Sequence, residues 1–263
     1  MNTSCVSANL VKVHFFQKSK SYKIAFGVYQ MLRHYTTSTG GYIKLSEAEE
    51  LMMKHFQIAG TSRWRTMKIL FSDFKLKKIK AKDGSIRLHV AGYKSVFPAE
   101  DIKRTLIIID WTVIKSYKSL LAYLYAGVLK SEIKDEKTRQ FFRNLDVKKG
   151  KISEVDKGEY GVVNNDSTKT TNHHLSLVLG ISTASISRFN HLAKDHGFLT
   201  MSFFGEKFAT PEDLKQFCAA NDKTSYGYRV RGKNYGNLGN ACLLIAGSLI
   251  TISNSISISS YLF

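Results

Sequence analysis

The stretch that most constrains the fold of this chain is 172–199, NHHLSLVLGISTASISRFNHLAKDHGFL. Leu175, Leu179, Ile181, Ile186, Phe189 and Leu192 supply the apolar positions of two successive helices, and Gly180 stands at the sharp turn between them. Glycine suits that place because the turn needs a positive φ, which costs a residue that carries a Cβ. Ser176, four residues before Gly180, is small where the helices must touch, and Ile186, six residues after it, is a β-branched residue for their contact. A short helix, a glycine turn and a second helix make a helix-turn-helix. Gly197–Phe198–Leu199 then leads into a strand and wing, TMSFFGEKF.

The first hundred residues suggest a related layout. The apolar run LVKVHFF at 10–16 is expected to be a strand. SYKIAFGVYQMLRHYT follows as a helix, with Ile24, Ala25, Val28, Met31, Leu32 and Tyr35 on one face, broken by Gly40–Gly41. Ser46 and Glu49 form a capping-box pattern, so a second helix should start there and end at Gly60. A third is expected at about 61–75, with Trp64, Met67, Ile69–Phe71 and Phe74 as its apolar positions. A basic strand, an Asp83–Gly84 turn and a second strand, SIRLHVAGYKSV, complete a hairpin. Three helices and a hairpin are the layout of a winged helix.

After Pro98 the pattern restarts. RTLIIID (104–110) reads as a buried strand, and 111–130 as a helix with Val113, Tyr117, Leu120, Leu121, Leu124 and Val128 on one side. A short helix at about 135–145 and a polar loop at 146–170 lead to the helix-turn-helix. The expected fold is α+β, mainly helical, with tandem winged helix-turn-helix units. The expected domains are 1–98, 99–233 and an uncharged tail at 234–263.

Charge points to the partner. The chain carries 39 Lys and Arg against 21 Asp and Glu, a net charge of +18, which favours a polyanion, either nucleic acid or an acidic membrane surface. The excess is densest within 61–82, where Arg63, Arg65, Lys68, Lys75, Lys77, Lys78, Lys80 and Lys82 meet one acid, Asp73. Thr61, Arg65 and Lys68 share one helical face, a groove side opposite the apolar side; the plainer alternative is an ordinary amphipathic helix. Lys75, Lys77, Lys78, Lys80 and Lys82 are expected to touch phosphates without reading sequence, with a solvated face as the plainer alternative.

The segment LSLVLGISTASISRFNHL resembles the helix-turn-helix of bacterial and phage DNA-binding proteins over about 25 residues. Ser176, Gly180, Ile181, Ser182, Ile186, Ser187 and Arg188 match the types of that motif, although alanine is commoner where Ser176 stands. The resemblance implies that the second helix enters the major groove of double-stranded DNA and presents Ser182, Thr183, Ala184, Ser187, Arg188 and His191. Arg188 can pair with guanine O6 and N7, and Ser182 can cap its helix as well as touch phosphate. The two-unit layout resembles plasmid replication initiators. Transcription regulation and replication initiation both fit, with a dimer as a further option.

The competing readings are a nucleic-acid-processing enzyme, such as a recombinase accessory using one of the 13 tyrosines, and a factor tethered to a membrane through 241–263. Residues 250–258 alternate Ile and Ser, a strand period that counts against a membrane helix and favours a peripheral strand or dimer-forming segment over an anchor or a poorly ordered tail. His173 and His174 lack metal-site spacing, so no metal and no cofactor is expected. Cys5, Cys218 and Cys242 read as reduced thiols, and the N-terminus lacks a signal-peptide pattern. The expected location is therefore the cytoplasm, at the nucleoid.

Overall fold

The structure, a computed structural model, describes residues 3–102, 105–148, 161–162, 166–208, 213, 216, 229–231 and 242–260. In chain order its elements are β1 (Thr3–Ser7), α1 (Ala8–Val11), α2 (Lys20–Thr36), β2 (Tyr42–Lys44), α3 (Leu45–Phe56), α4 (Gly60–Ser72), β3 (Lys77–Lys80), β4 (Ile86–His89), α5 (Tyr93–Val96), β5 (Thr105–Asp110), α6 (Tyr117–Lys148), β6 (Gly161–Val162), β7 (Ser167–Thr170), α7 (Asn172–Leu179), α8 (Thr183–Asp195), β8 (Leu199–Phe208), β9 (Arg229–Arg231), β10 (Cys242–Ile252) and β11 (Ser257–Ser260). The chain is α+β. It forms two compact units, one of Met1–Glu132, His191–Phe198 and Asn254–Phe263, the other of Ile133–Asn190 and Leu199–Ser253.

The first unit is built on α2. Ser19 caps this helix, its Oγ accepting from the Tyr22 N–H at 3.3 Å, and Phe26, Val28, Tyr29, Met31 and Leu32 are all buried. Tyr29 stacks on Phe74 with ring centroids 5.1 Å apart, and Phe26 and Phe97 meet Phe74 edge-on at 6.2 and 6.0 Å. These rings fix α2 against the chain leaving α4. Two glycines permit close packing: a Cβ on Gly27 would lie 2.7 Å from Leu120, and one on Gly127 would lie 2.6 Å from Ile107 of β5. The unit has two antiparallel sheets, ordered β1-β5-β11 and β2-β4-β3. From α2 to β4 the elements run helix, strand, helix, helix, strand, strand, and the first strand lies beside the last.

Apart from the short strands β6 and β9, the described elements of the second unit follow that order from the end of α6 through β7, α7, α8 and β8 to β10. Its sheet is ordered β6-β7-β10-β8, with β9 also on β10. Among the described residues Ile133, Leu175, Leu179, Ile186, Phe189, Leu199, Ile250 and Ile252 are its buried apolar side chains.

Several local expectations change. Residues 10–16 are not a strand: α1 and a π-helical turn at Lys12–Phe16 occupy them, with Leu10, Val11, Phe15 and Phe16 buried, and the strand is Thr3–Ser7. A short apolar run carries no periodicity that separates strand from buried helix. Helix α3 begins at Leu45, one residue before the expected cap, because β2 runs straight into it; Lys44 makes no side-chain cap bond. It ends at Phe56, with Gln57 in the left-handed region at φ 55°, and Gly60 opens α4. Residues 93–96 are helical, which cuts the second hairpin strand short at His89. The helix expected at 111–130 starts only at Tyr117, leaving Val113 outside it, and is continuous with the one expected at 135–145, as α6. Part of the expected loop at 146–170 is strand, β6 and β7, while 149–160 lie outside the described residues.

The uncharged tail is the largest correction. Instead of forming a separate appendage, β10 lies in the middle of the second unit's sheet. It pairs with β8 from Cys242 to Ile252 on one side and with β7 from Ser248 to Thr251 on the other. Strand β11 pairs with β5 in the first unit. The expected strand period is present, with Ile250, Ile252 and Ile256 buried. Residues 232–241 of the tail region lie outside the described residues.

Two histidines of the first unit couple its stability to pH. His55 Nε2 lies 3.2 Å from the Tyr35 hydroxyl and its Nδ1 3.4 Å from the Ile114 carbonyl, while His34 stacks with Trp111 at 6.1 Å. Burial pushes both imidazoles below their ordinary value, and Lys54 adds to the effect at His55. The unfolded chain therefore binds protons that the folded chain excludes, so this stability is present above about pH 6.5 and is lost as pH falls. Urea unfolding is expected to show lower stability at pH 5.5 than at pH 8, with a smaller difference in a His34→Gln/His55→Gln variant. An equal difference in both proteins would remove the assignment.

Candidate nucleic-acid interface

In the first unit the candidate surface is α4 and the β3–β4 hairpin. Thr66, Met67 and Leu70 are buried on the inner side of α4. Thr61, Trp64, Arg65 and Lys68 are exposed, at the i, i+3, i+4, i+7 spacing of one helical face. Trp64, expected in the core, is 64% exposed, and the Lys68 ammonium lies 5.7 Å from its ring centroid. Residues 61–72 contain no acid.

The predicted cations do not all belong to that face. Arg63 is half-exposed and pairs with Glu49 of α3 at 3.1 Å, so it braces two helices. Lys75 has φ 53° and its Nζ donates to the Ser95 carbonyl at 2.5 Å. Along β3 the side chains alternate. Lys78 is opposite the buried Leu88 and its Nζ lies 5.3 Å from the Phe71 ring of α4, so Lys78 and Lys80 lie on the helix side. Lys77 is opposite His89 on the outer side, which also carries Ile79, Arg87 and Lys44. The sequence reading missed Trp64, Arg87 and Lys44. The cross-strand pairs Lys44↔Arg87 and Ile79↔Arg87 place these two cations together, and only the register reveals that.

The hairpin tip follows from its residues. Ala81 N–H donates to the Ser85 carbonyl at 2.9 Å, closing a three-residue loop with Gly84 at φ 79°. Asp83 accepts from the Ser85 hydroxyl at 2.6 Å and backbone N–H at 2.9 Å. These bonds, with Arg87 nearby, hold its carboxyl below the usual range.

In the second unit the candidate surface is α7 and the first turns of α8. The Thr171 hydroxyl caps α7, accepting from the His174 N–H at 3.0 Å. Gly180 ends the helix at φ 65°, the conformation that called for glycine, and its N–H bonds the Ser176 carbonyl. Ser182 Oγ accepts from the Ser185 N–H at 3.2 Å, so it caps the start of α8. Asn190 donates to Asn172 at 3.1 Å, tying α8 to α7.

With Ile186 and Phe189 turned inward, Ser182, Thr183, Ala184 and Arg188 are exposed and Ser187 is half-exposed. His191 is also exposed, on the last turns of α8, which belong to the first unit. Arg188 Nε donates to the Ala184 carbonyl at 3.3 Å, so the guanidinium lies along its own helix. The exposed face offers hydroxyls and one guanidinium, groups that can donate to base edges and phosphates.

Other chemistry finds less support. Burial pushes the phenols of Tyr22 and Tyr117 up to about 12, and raises Tyr29, Tyr93 and Tyr125 further, the opposite of an activated nucleophile. A cleft of about 460 Å³ beside α3 is lined by Tyr35, Tyr42, Glu47, Glu50 and Lys54, and its two carboxylates are unsuited to a polyanion. Among the described residues no three His, Cys, Asp or Glu are grouped to hold a metal ion, and no helix is long and apolar enough to cross a membrane. Comparison with protein-family models, curated proteins and solved structures finds no match for this chain.

Proposed function

We propose that this protein binds double-stranded DNA with sequence preference through two winged helix-turn-helix units, serving as a transcription regulator or a plasmid or phage replication initiator. The observation that carries the proposal is the outer face of α4. It presents Thr61, Arg65 and Lys68 without an acid, and the Lys78–Lys80 side of the hairpin lies next to it. A helix face of this kind followed by a basic β-ribbon matches a major groove flanked by phosphates. The shared element order of the two units and the helix–glycine–helix of α7 and α8 support a second recognition helix in α8.

Arg188 is assigned to base reading in this proposal. Selection of bound fragments from a genomic DNA pool supplies the site: tandem repeats favour an initiator, and a single palindrome favours a regulator. On that site Arg188→Ala is expected to lower discrimination against a mismatched site by about 1–3 kcal/mol. Gel-shift competition measures this, and unchanged discrimination would remove Arg188 from base reading.

A further inference from the structure

Trp64 is the residue whose placement departs most from its chemistry. The chain has two tryptophans: Trp111 is 4% exposed, whereas Trp64 is 64% exposed in the middle of the polar, cationic face of α4. The inner side of that helix is already filled by Thr66, Met67 and Leu70. An indole left in water gains nothing for folding, so its payoff must come from a surface that covers it.

We propose that Trp64 reads thymine, covering the 5-methyl groups that the major groove presents to α4. The inference rests on the assignment of α4 as a DNA-facing helix. Thr61, Arg65 and Lys68 flank Trp64 on the same face, so a duplex held by the two cations, Arg65 and Lys68, brings its groove floor against the indole. In a duplex the base faces are stacked and the phosphates are charged. The one apolar group on the major-groove edges is the thymine methyl. The Lys68 ammonium, 5.7 Å from the ring centroid, lies over the indole and steadies it. An A·T preference at the α4 subsite follows, which the cations of that helix alone would not give.

The test uses the full chain and two duplexes of the selected site, one with thymine and one with uracil, which differ only in the methyl groups. Wild-type protein is expected to lose about fourfold in affinity per methyl covered, and about sixteenfold where two are covered, on the uracil duplex. Trp64→Ala is expected to show that loss on the thymine duplex and no further loss on uracil, with an unchanged salt slope. Duplex addition should quench the exposed tryptophan emission, since Trp111 is buried. Equal binding of both duplexes by the wild type would overturn the proposal, as would Trp64→Ala losing the same factor on each. Quenching by self-association without DNA, or tighter binding of the single strand than of the duplex, would do so too. Wild-type protein that binds no duplex at all would take the DNA-binding proposal with it, whereas methyl-insensitive duplex binding removes only the role of Trp64.

Discussion

A chain ending at Lys233 is expected to lose the second unit altogether. The removed segment contains β10, which lies between β7 and β8 and supplies Ile250 and Ile252, both buried. Without it, β7 and β8 have no partner between them, and their backbone groups and apolar faces meet water. The first unit is weakened as well, because β11 leaves the edge of β5 and Ile256 leaves the core. The Lys130 ammonium also loses its 2.8 Å bond to the Ile256 carbonyl. Far-ultraviolet circular dichroism and urea unfolding should show lost strand signal and a missing or broadened transition. The point substitution Ile250→Ala isolates the same strand and is expected to cost about 2–5 kcal/mol. A truncated chain with full signal and an unchanged transition would mean that β10 is dispensable, as an appendage would be.

Reversing charge beside α4 is expected to have the largest effect on binding. Lys68, Lys78 and Lys80 are exposed on α4 and on the helix side of β3. If each neutralises one phosphate, removing three contacts at about 0.1 M salt costs several hundredfold, and the salt slope falls by about 2.7. Changing all three to Glu adds repulsion to that loss. The loss should be alike for every duplex sequence, because phosphates carry no sequence information. Fluorescence anisotropy on specific and random duplexes separates this from Arg188→Ala, which should affect the specific site more. A Lys68→Glu/Lys78→Glu/Lys80→Glu protein that binds random DNA as the wild type does would move the interface elsewhere.

The features legible in the sequence were those fixed by local backbone chemistry. Gly180 and Asp83–Gly84 stand where a left-handed residue ends a helix or closes a loop, and both have positive-φ glycines. The α8 face followed from periodicity, since Ile186 and Phe189 point inward and Arg188 outward. What failed depends on distant partners. Trp64 was placed in the core because it is apolar, but the buried side of α4 is that of Thr66, Met67 and Leu70, and Trp64 lies on the face it shares with Arg65 and Lys68. Lys77 and Lys78 are adjacent in sequence yet lie on opposite faces of the sheet, which only the pairing with β4 settles. The role of the tail depends on pairing Ser248 with Thr170 and Ile250 with Met201, contacts that local pattern does not encode. The strand expected at 10–16 failed for lack of length, since seven residues are too few to separate two periods.

The most direct measurement is the affinity of the full chain for a selected duplex and a random duplex across a salt series. Recognition of duplex DNA through α4, the hairpin and α8 predicts a linear fall of log affinity with log salt. Its slope should be about −3.6 or steeper, from about four phosphate contacts by Arg65, Lys68, Lys78 and Lys80, with tighter binding of the selected duplex at every salt. Salt-independent binding, or equal affinity for the two duplexes throughout, would contradict it.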